Sequence, residues 1–289
     1  MSRAILALLR VLHVLPLGLL ARIGNVAGEA AFWLIAERRR VTRANLALCF
    51  PRMPARERER LARAHFRAFV RTFIERGILW WAPRSRVRRL VRVEGLEHLR
   101  PLAAGPVILL APHFVGLDVG FARLACELDM VSIYASQKDA RFAALLLHGR
   151  TRFGNQVLLS RQQGIRRALR AMKGGRPFYY LPDMDYGPRD AIFVPFFGVP
   201  AATVPGVARI ARLAGAKVLP CVTRMLPGGA GYLVRIEPAW ENYPGDDLEA
   251  DTLRMNQYIE RAVLAMPEQY LWMHKRFKTR PAGEPRFYP

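Results

Sequence analysis

Gly105-Pro-Val-Ile-Leu-Leu-Ala-Pro-His-Phe-Val-Gly-Leu-Asp118 begins with a short apolar run, Pro106 to Ala111, closed off by Gly105 and Pro112. A run of that length between two breakers reads as a strand buried on both faces. The segment Asp118 to Leu128 then reads as the helix that follows. The same texture continues downstream. Met130 to Ala135, Pro177 to Leu181, Ala216 to Thr223 and Tyr232 to Pro238 read as strands. Arg141 to Phe153, Gly164 to Met172, Val204 to Leu213 and Leu248 to Met266 read as helices. Strands alternating with helices imply an α/β fold with a mixed, mainly parallel central sheet flanked by helices. Ligands in such folds bind beyond the carboxyl ends of the strands, so the loops there are where chemistry is sought.

His113-Phe-Val-Gly-Leu-Asp118 occupies one of those loops. The imidazole leaves the end of a buried strand and Asp118 falls in the first turn of the next helix, with Gly116 allowing the turn between them. A carboxylate in that place can hold the imidazole in one tautomer and support its protonated form, which makes His113 a candidate general base for a hydroxyl. Chance supplies roughly 0.5 H-x4-[D/E] matches in a chain of this composition, so the position after the strand carries more weight than the spacing. A satisfied loop histidine and a helix-terminal acid are the plainer explanation. Other chemistries are excluded by inspection: no G-x-S-x-G, no Walker A loop, no G-x-G-x-x-G and no H-E-x-x-H occurs.

A second constellation, Leu181-Pro-Asp-Met-Asp-Tyr-Gly-Pro-Arg-Asp190, leaves another strand end and runs into Phe193-Val-Pro-Phe-Phe-Gly-Val-Pro200. Asp183 and Asp185 resemble a metal pair, but no histidine is near in sequence and turn formation is the commoner use. Arg189 is suited to gripping a phosphate and the Phe-rich run to lining an acyl channel. Arg150, Arg152 and Arg161 bracket a turn expected over Phe153 to Leu159.

The chain has 289 residues, of which 52% are hydrophobic, and carries 45 Lys+Arg against 23 Asp+Glu for a net charge of +22. That profile fits a folded chain and excludes a disordered one. Forty of the 45 basic residues are arginine, whose planar fork pairs with phosphate and carboxylate. Biased codon usage explains the preference equally well, but attraction to nucleic acid, anionic membranes or acidic proteins follows either way. Cys49, Cys126 and Cys221 are the only cysteines and form no CxxC pair, which argues against a disulfide scaffold or a thiolate metal site.

Residues 1–36 are mostly Ala, Leu, Val, Ile and Gly, interrupted by Arg3, Arg10, His13, Arg22 and Glu29. No uncharged run reaches the ~20 residues of a clean membrane span. An uncleaved, membrane-embedded or tilted helical anchor is expected, with a buried helix pair as the alternative. From 37 to 100 there are 18 Arg and six Glu. Arginine just past an apolar segment marks the cytoplasmic side and draws anionic headgroups. Within it, Pro54 to Trp81 reads as a long amphipathic helix. The division expected is 1–36, a membrane-associated helical segment, and 37–289, the catalytic domain.

Together these residues resemble the late acyltransferases of lipid A biosynthesis, the lauroyl/myristoyl family of Gram-negative bacteria within the glycerolipid acyltransferase superfamily. The likeness runs through Arg43-Ala-Asn45-Leu-Ala-Leu-Cys-Phe-Pro51, His113-x4-Asp118 and Gly149-Arg-Thr-Arg152. It continues in Pro182-Asp-Met-Asp-Tyr-Gly-Pro-Arg189 and in Pro267-Glu-Gln-Tyr-Leu-Trp-Met-His-Lys-Arg-Phe-Lys-Thr-Arg-Pro281. Two departures stand out: many members carry Glu where Asp118 stands, and the apolar start is more interrupted than a plain single span.

The resemblance implies transfer of a fatty acyl group from acyl carrier protein to a hydroxyl of a lipid A precursor at the inner membrane, with the catalytic domain on the cytoplasmic side. His113 would be the base and Asp118 its support. Arg150 would stabilise the oxyanion or hold an acceptor phosphate, and Asp183 and Arg189 would belong to the acceptor site. No cofactor and no metal are implied. The implied partners are acyl carrier protein, an anionic lipid acceptor and the membrane. Nucleic acid is not among them, since no binding module is visible. Another lipid or glycolipid acceptor, and from a different class a non-enzymatic basic membrane- or nucleic-acid-binding protein, are the alternatives.

Overall fold

The computed structural model describes residues 3–102, 105–134, 139–160 and 165–288. Four helices come first: α1 (Arg3–Leu12), α2 (Leu17–Leu34), α3 (Ala36–Cys49) and α4 (Ala55–Trp81). Next come α5 (Arg84–Leu90), β1 (Val91–Glu94), α6 (Leu96–Leu99), β2 (Val107–Leu110), α7 (Leu117–Leu124), β3 (Val131–Tyr134), α8 (Ala140–Thr151) and β4 (Val157–Ser160). The chain continues through α9 (Ile165–Lys173), β5 (Phe178–Tyr180), β6 (Ile192–Phe196), β7 (Val199–Thr203), α10 (Gly206–Ala214), β8 (Lys217–Met225), β9 (Tyr232–Ile236) and α11 (Leu248–Ala265).

Seven strands form one sheet in the order β1-β9-β8-β2-β5-β3-β4. All neighbours are parallel except β8 and β9, so the mixed, mainly parallel sheet is as expected. β2 lies near its centre and is buried along its whole length. Its alternate side chains serve two cores: Ile108 and Leu110 join one, Val107 and Leu109 the other, as the two-residue period of a strand requires.

One expectation is corrected, and two strand pairs appear where the sequence suggested none. The turn foreseen over Phe153 to Leu159 contains β4, which pairs with β3 at the sheet edge. Val91–Glu94, inside the arginine-rich stretch, is a strand because it docks on β9. The Phe-rich run forms a β-hairpin, β6–β7, in which Val194 and Phe196 are buried in the core and Phe193 is exposed. Its two-residue turn, Phe197-Gly198, has φ of 52° and 75°, the doubly left-handed geometry of a tight hairpin. The expected ends at Ala135 and Gly164, together with Arg161, lie outside the described residues.

Residues 3–34 are packed along α4. A side chain at Gly24 would sit 2.7 Å from the Arg71 Cα, one at Gly28 2.5 Å from the Arg67 Cα, and one at Gly77 2.6 Å from the Leu9 carbonyl. Small residues at the crossings thus let α1 and α2 press on α4 backbone to backbone. Leu9, Leu17, Leu20 and Phe32 are buried by this contact. At Ile35 the chain bends by 93° into α3. No single described helix is long and apolar enough to cross a membrane; α2 and α3 meet that test only as a bent pair. Gly28→Val should therefore separate α2 from α4 and cost about 2 kcal/mol or more, read as a lower melting temperature and faster proteolysis near residue 28.

Candidate active site

β2 and β5 are parallel neighbours, so the residues that follow them emerge side by side. The Ala111 N–H donates to the Tyr180 carbonyl at 2.9 Å and carries the pairing one step past β2. Three residues past the paired strand ends Leu110 and Tyr180 come His113 and Asp183. The His113 main-chain N–H donates to both Asp183 carboxylate oxygens, at 3.1 and 3.0 Å, and Nδ1 donates to Oδ1 at 2.7 Å. Burial pushes the Asp183 carboxyl up, but the facing imidazole and the donated hydrogen bonds outweigh it and hold it below the ordinary carboxylate range. A carboxylate can only accept, so Nδ1 carries the proton of this bond and Nε2 is the ring nitrogen left for another partner. Asp183 is 1% exposed and His113 12%, leaving one edge of the imidazole open.

Asp118 is not the carboxylate at His113. It projects from the first turn of α7 into the cleft between α4 and α8, where two guanidiniums capture it. Arg150 Nε and Nη2 donate to Oδ1 at 3.1 and 2.7 Å, and Arg76 Nη2 to Oδ2 at 3.4 Å. Burial raises the Asp118 pKa, yet Arg150 and then Arg76 overcome it and bring it down to about 2. Leu79, Trp80 and Leu146 complete the apolar wall of this cleft. Arg76 escaped the sequence reading because nothing distinguishes it from the other arginines of its helix.

The second constellation divides. Asp183 joins His113. Asp185 closes a turn, accepting from the Gly187 N–H at 2.9 Å, and takes Thr279 N–H and Oγ1 at 2.6 and 2.8 Å. Among the described residues no three His, Cys, Asp or Glu side chains are grouped to hold a metal. Arg189 is not brought to the cluster: its side chain is 95% exposed and it lies 3.8 Å from Asp190. Arg152 binds the Leu79 and Ala82 carbonyls at 3.0 and 2.6 Å, closing the end of α4.

A strap at 267–280 crosses the cluster. Val115 N–H donates to the Gln269 carbonyl at 2.8 Å, and Leu271 N–H to the His113 carbonyl at 3.0 Å. The Tyr270 hydroxyl, driven well above its ordinary pKa by burial and by Asp183, adjoins that carboxylate. His274 Nε2 accepts the Asp185 N–H at 3.1 Å, and burial drops its pKa to about 4, so the ring is neutral. The geometry assembled is an oriented imidazole with a free Nε2, next in sequence to an arginine-lined cleft. It suits proton abstraction from a hydroxyl and stabilisation of an anion.

Residues 2–279 match the family described as bacterial lipid A biosynthesis acyltransferase. The lipid A biosynthesis lauroyltransferase and palmitoleoyltransferase of Escherichia coli K12 are each 35% identical over 277 residues, covering 95% of this chain and 90% of theirs. The lipid A biosynthesis myristoyltransferase of the same organism is 31% identical, covering 92% and 82%. Among solved structures, the 1-acyl-sn-glycerophosphate acyltransferase of Thermotoga maritima aligns with a TM-score of 0.39 and 16% identity, over 84% of this chain and 97% of that one.

The ion pairs of Asp118 carry a pH signature. Its carboxyl titrates at 3.8 when unperturbed and near 2 in the fold. The unfolded chain therefore takes up the proton first as pH falls, so this stabilisation is complete above about pH 4 and lost between about 4 and 2. Thermal melts of Asp118→Asn should show lower stability at pH 7 and a flatter decline across that acid window than the parent.

Proposed function

The chain belongs to the bacterial lipid A biosynthesis acyltransferases, and from that premise we propose that it moves a fatty acyl group from acyl carrier protein to a hydroxyl of a lipid A precursor, with His113 as general base. An acyltransferase is an enzyme, so the alternative of a non-enzymatic basic binding protein is set aside. The observation that carries the mechanism is the contact of His113 with Asp183 at the ends of two adjacent parallel strands.

In this reading Nε2 of His113 takes the proton of the acceptor hydroxyl while its oxygen attacks the thioester carbonyl. The negative charge of the tetrahedral intermediate passes to the former carbonyl oxygen. Collapse expels the carrier thiolate, which receives the proton from the imidazolium, and the ester remains on the acceptor. Asp183 supports the imidazolium through Nδ1, the part the sequence reading gave to Asp118. Arg150 and Arg76 together exceed the charge of Asp118 by one, leaving the cleft positive toward an acceptor phosphate or the developing oxyanion. Arg189, on its exposed loop, is available to an acidic partner and not to the reacting atoms.

Membrane attachment belongs to the same proposal. Most of the large apolar side chains exposed among the described residues lie between 5 and 35, with Val11 at 66%, Val26 at 74% and Leu34 at 82%. Exposed apolar side chains gathered in one segment of the chain suit a membrane or protein contact. Arg10 stacks on Trp81, and α1 crosses α4 at Gly77, beside Arg76. A bilayer touching α1 would thus lie next to the arginine-lined cleft, which suits an acceptor drawn from the membrane. The arginines from 38 to 100 favour the cytoplasmic leaflet of the inner membrane.

His113→Ala should lower turnover of acyl carrier protein substrate by a factor of about 10² to 10⁴ with the fold intact; substantial residual activity removes His113 from the base role. Mass spectrometry of lipid A from cells lacking the protein should show the loss of one acyl group. Val11→Asp combined with Leu34→Asp should shift the protein from the membrane to the soluble fraction, and unchanged sedimentation with vesicles would place the attachment elsewhere.

A further inference from the structure

Asn45 lies on α3, far in sequence from His113, and no part of the mechanism uses it. It is fully buried. Its side-chain amide donates one N–H to the Trp272 carbonyl and the other to the His274 carbonyl, each at 2.7 Å. Its Oδ1 accepts from the Tyr288 hydroxyl, and that hydroxyl also accepts the Phe277 N–H at 3.2 Å. Both side-chain donors of Asn45 are therefore spent on the strap, two of whose carbonyls are held by this one side chain, while its oxygen is taken by Tyr288 beyond the strap.

The strap in turn grips the base. Leu271, immediately before Trp272, donates to the His113 carbonyl, and Gln269 accepts from Val115. Phe114 and Tyr270 form the bridge between these bonds. His113 thus has three fixed points: its N–H and Nδ1 on Asp183, and its carbonyl on the strap. Two of them depend on β5, while the third depends on wherever the strap is held. The Gln269 side chain on Met225 and Arg276 on Ala202 and Thr203 also hold the strap, but Asn45 is the buried amide that fixes the carbonyls of Trp272 and His274, next to Leu271.

We propose that Asn45 is a positioning residue for the acyl-transfer reaction, holding the 267–280 strap so that His113 Nε2 is aimed at the acceptor hydroxyl. The inference rests on the reading of His113 as the base. Only an imidazole placed within hydrogen-bond reach of the hydroxyl transfers its proton efficiently, and displacements of about 1 Å cost on the order of 10²-fold in rate. Substrate contacts are left in place when the strap slips, so the loss falls on kcat and not on KM.

The test is Asn45→Asp, which keeps the size of the side chain and replaces two donors with an oxygen facing two carbonyls. Full-length enzyme in detergent is assayed with acyl carrier protein substrate and a lipid A precursor, with activity expressed per folded molecule. A fall in kcat of about 10- to 100-fold with KM changed less than about threefold is expected, together with faster hydrogen exchange at the Leu271 and Val115 amides. Leu20→Ala, which opens the core between α2 and α4, serves as the control for stability loss alone. Equal falls in kcat at equal falls in melting temperature for the two variants overturn the proposal, as does wild-type kcat in Asn45→Asp. Should Asn45→Asp not fold, Tyr288→Phe removes the hydroxyl that binds Asn45 and is expected to lower kcat several-fold; unchanged kcat there overturns it too. Absence of acyl transfer by the parent enzyme would instead reject the functional reading on which the inference stands.

Discussion

One carboxylate accepts from both the main chain and the ring of a single histidine, and this double contact requires β2 and β5 to lie side by side and point the same way. The parallel register delivers His113 and Asp183 to the same height, so Asp183 satisfies an N–H that would otherwise end unpaired and fixes the imidazole tautomer together. The rest of the architecture serves that register. β8 flanks β2 on its other side, both faces of β2 are covered, and the strap closes over the strand ends. Asp118 then has a separate task, binding two arginines from α4 and α8 that would otherwise repel each other.

Features set by local pattern were readable from the chain: β2 between its breakers, α4 beginning after Pro54, and the alternation that makes a parallel sheet. Features set by long-range pairing were not. The partner of His113 was sought five residues away in Asp118, where turn geometry is easy to imagine, and lies 70 residues away across a strand pair. β4 passed as a turn because its strand character comes from docking on β3. The hairpin β6–β7 was hidden by Pro195 and Pro200, which stand opposite each other in its ladder. Arg76 had no signal of its own, and Asn45 and the strap entered the reading only as stretches of family likeness without a role.

The abundance of arginine also acquires a physical account. Several guanidiniums close the carboxyl ends of helices, where main-chain carbonyls lack partners. Arg39 reaches the Phe32 and Trp33 carbonyls at the end of α2 at 2.7 and 2.8 Å. Arg58 serves Phe50 after α3 at 3.2 Å, and Arg152 serves Leu79 and Ala82 after α4. Past α1, Arg86 binds the His13 carbonyl at 2.6 Å. A forked cation spans two carbonyls where an ammonium offers a single point of charge. Part of the excess charge therefore stabilises the helical layer, and only the remainder is free to face anionic partners.

The strap follows every strand of the sheet in chain order, whereas the apolar surface of α1 and α2 precedes them all. On a ribosome adding about 5–20 residues per second, the nascent polypeptide exposes its greasy leading helices long before the stretch that grips His113 has been made. Translation itself then imposes an order on assembly: the exposed apolar helices are made early, the strand ends that carry His113 and Asp183 follow, and the residues that hold the His113 carbonyl come after both.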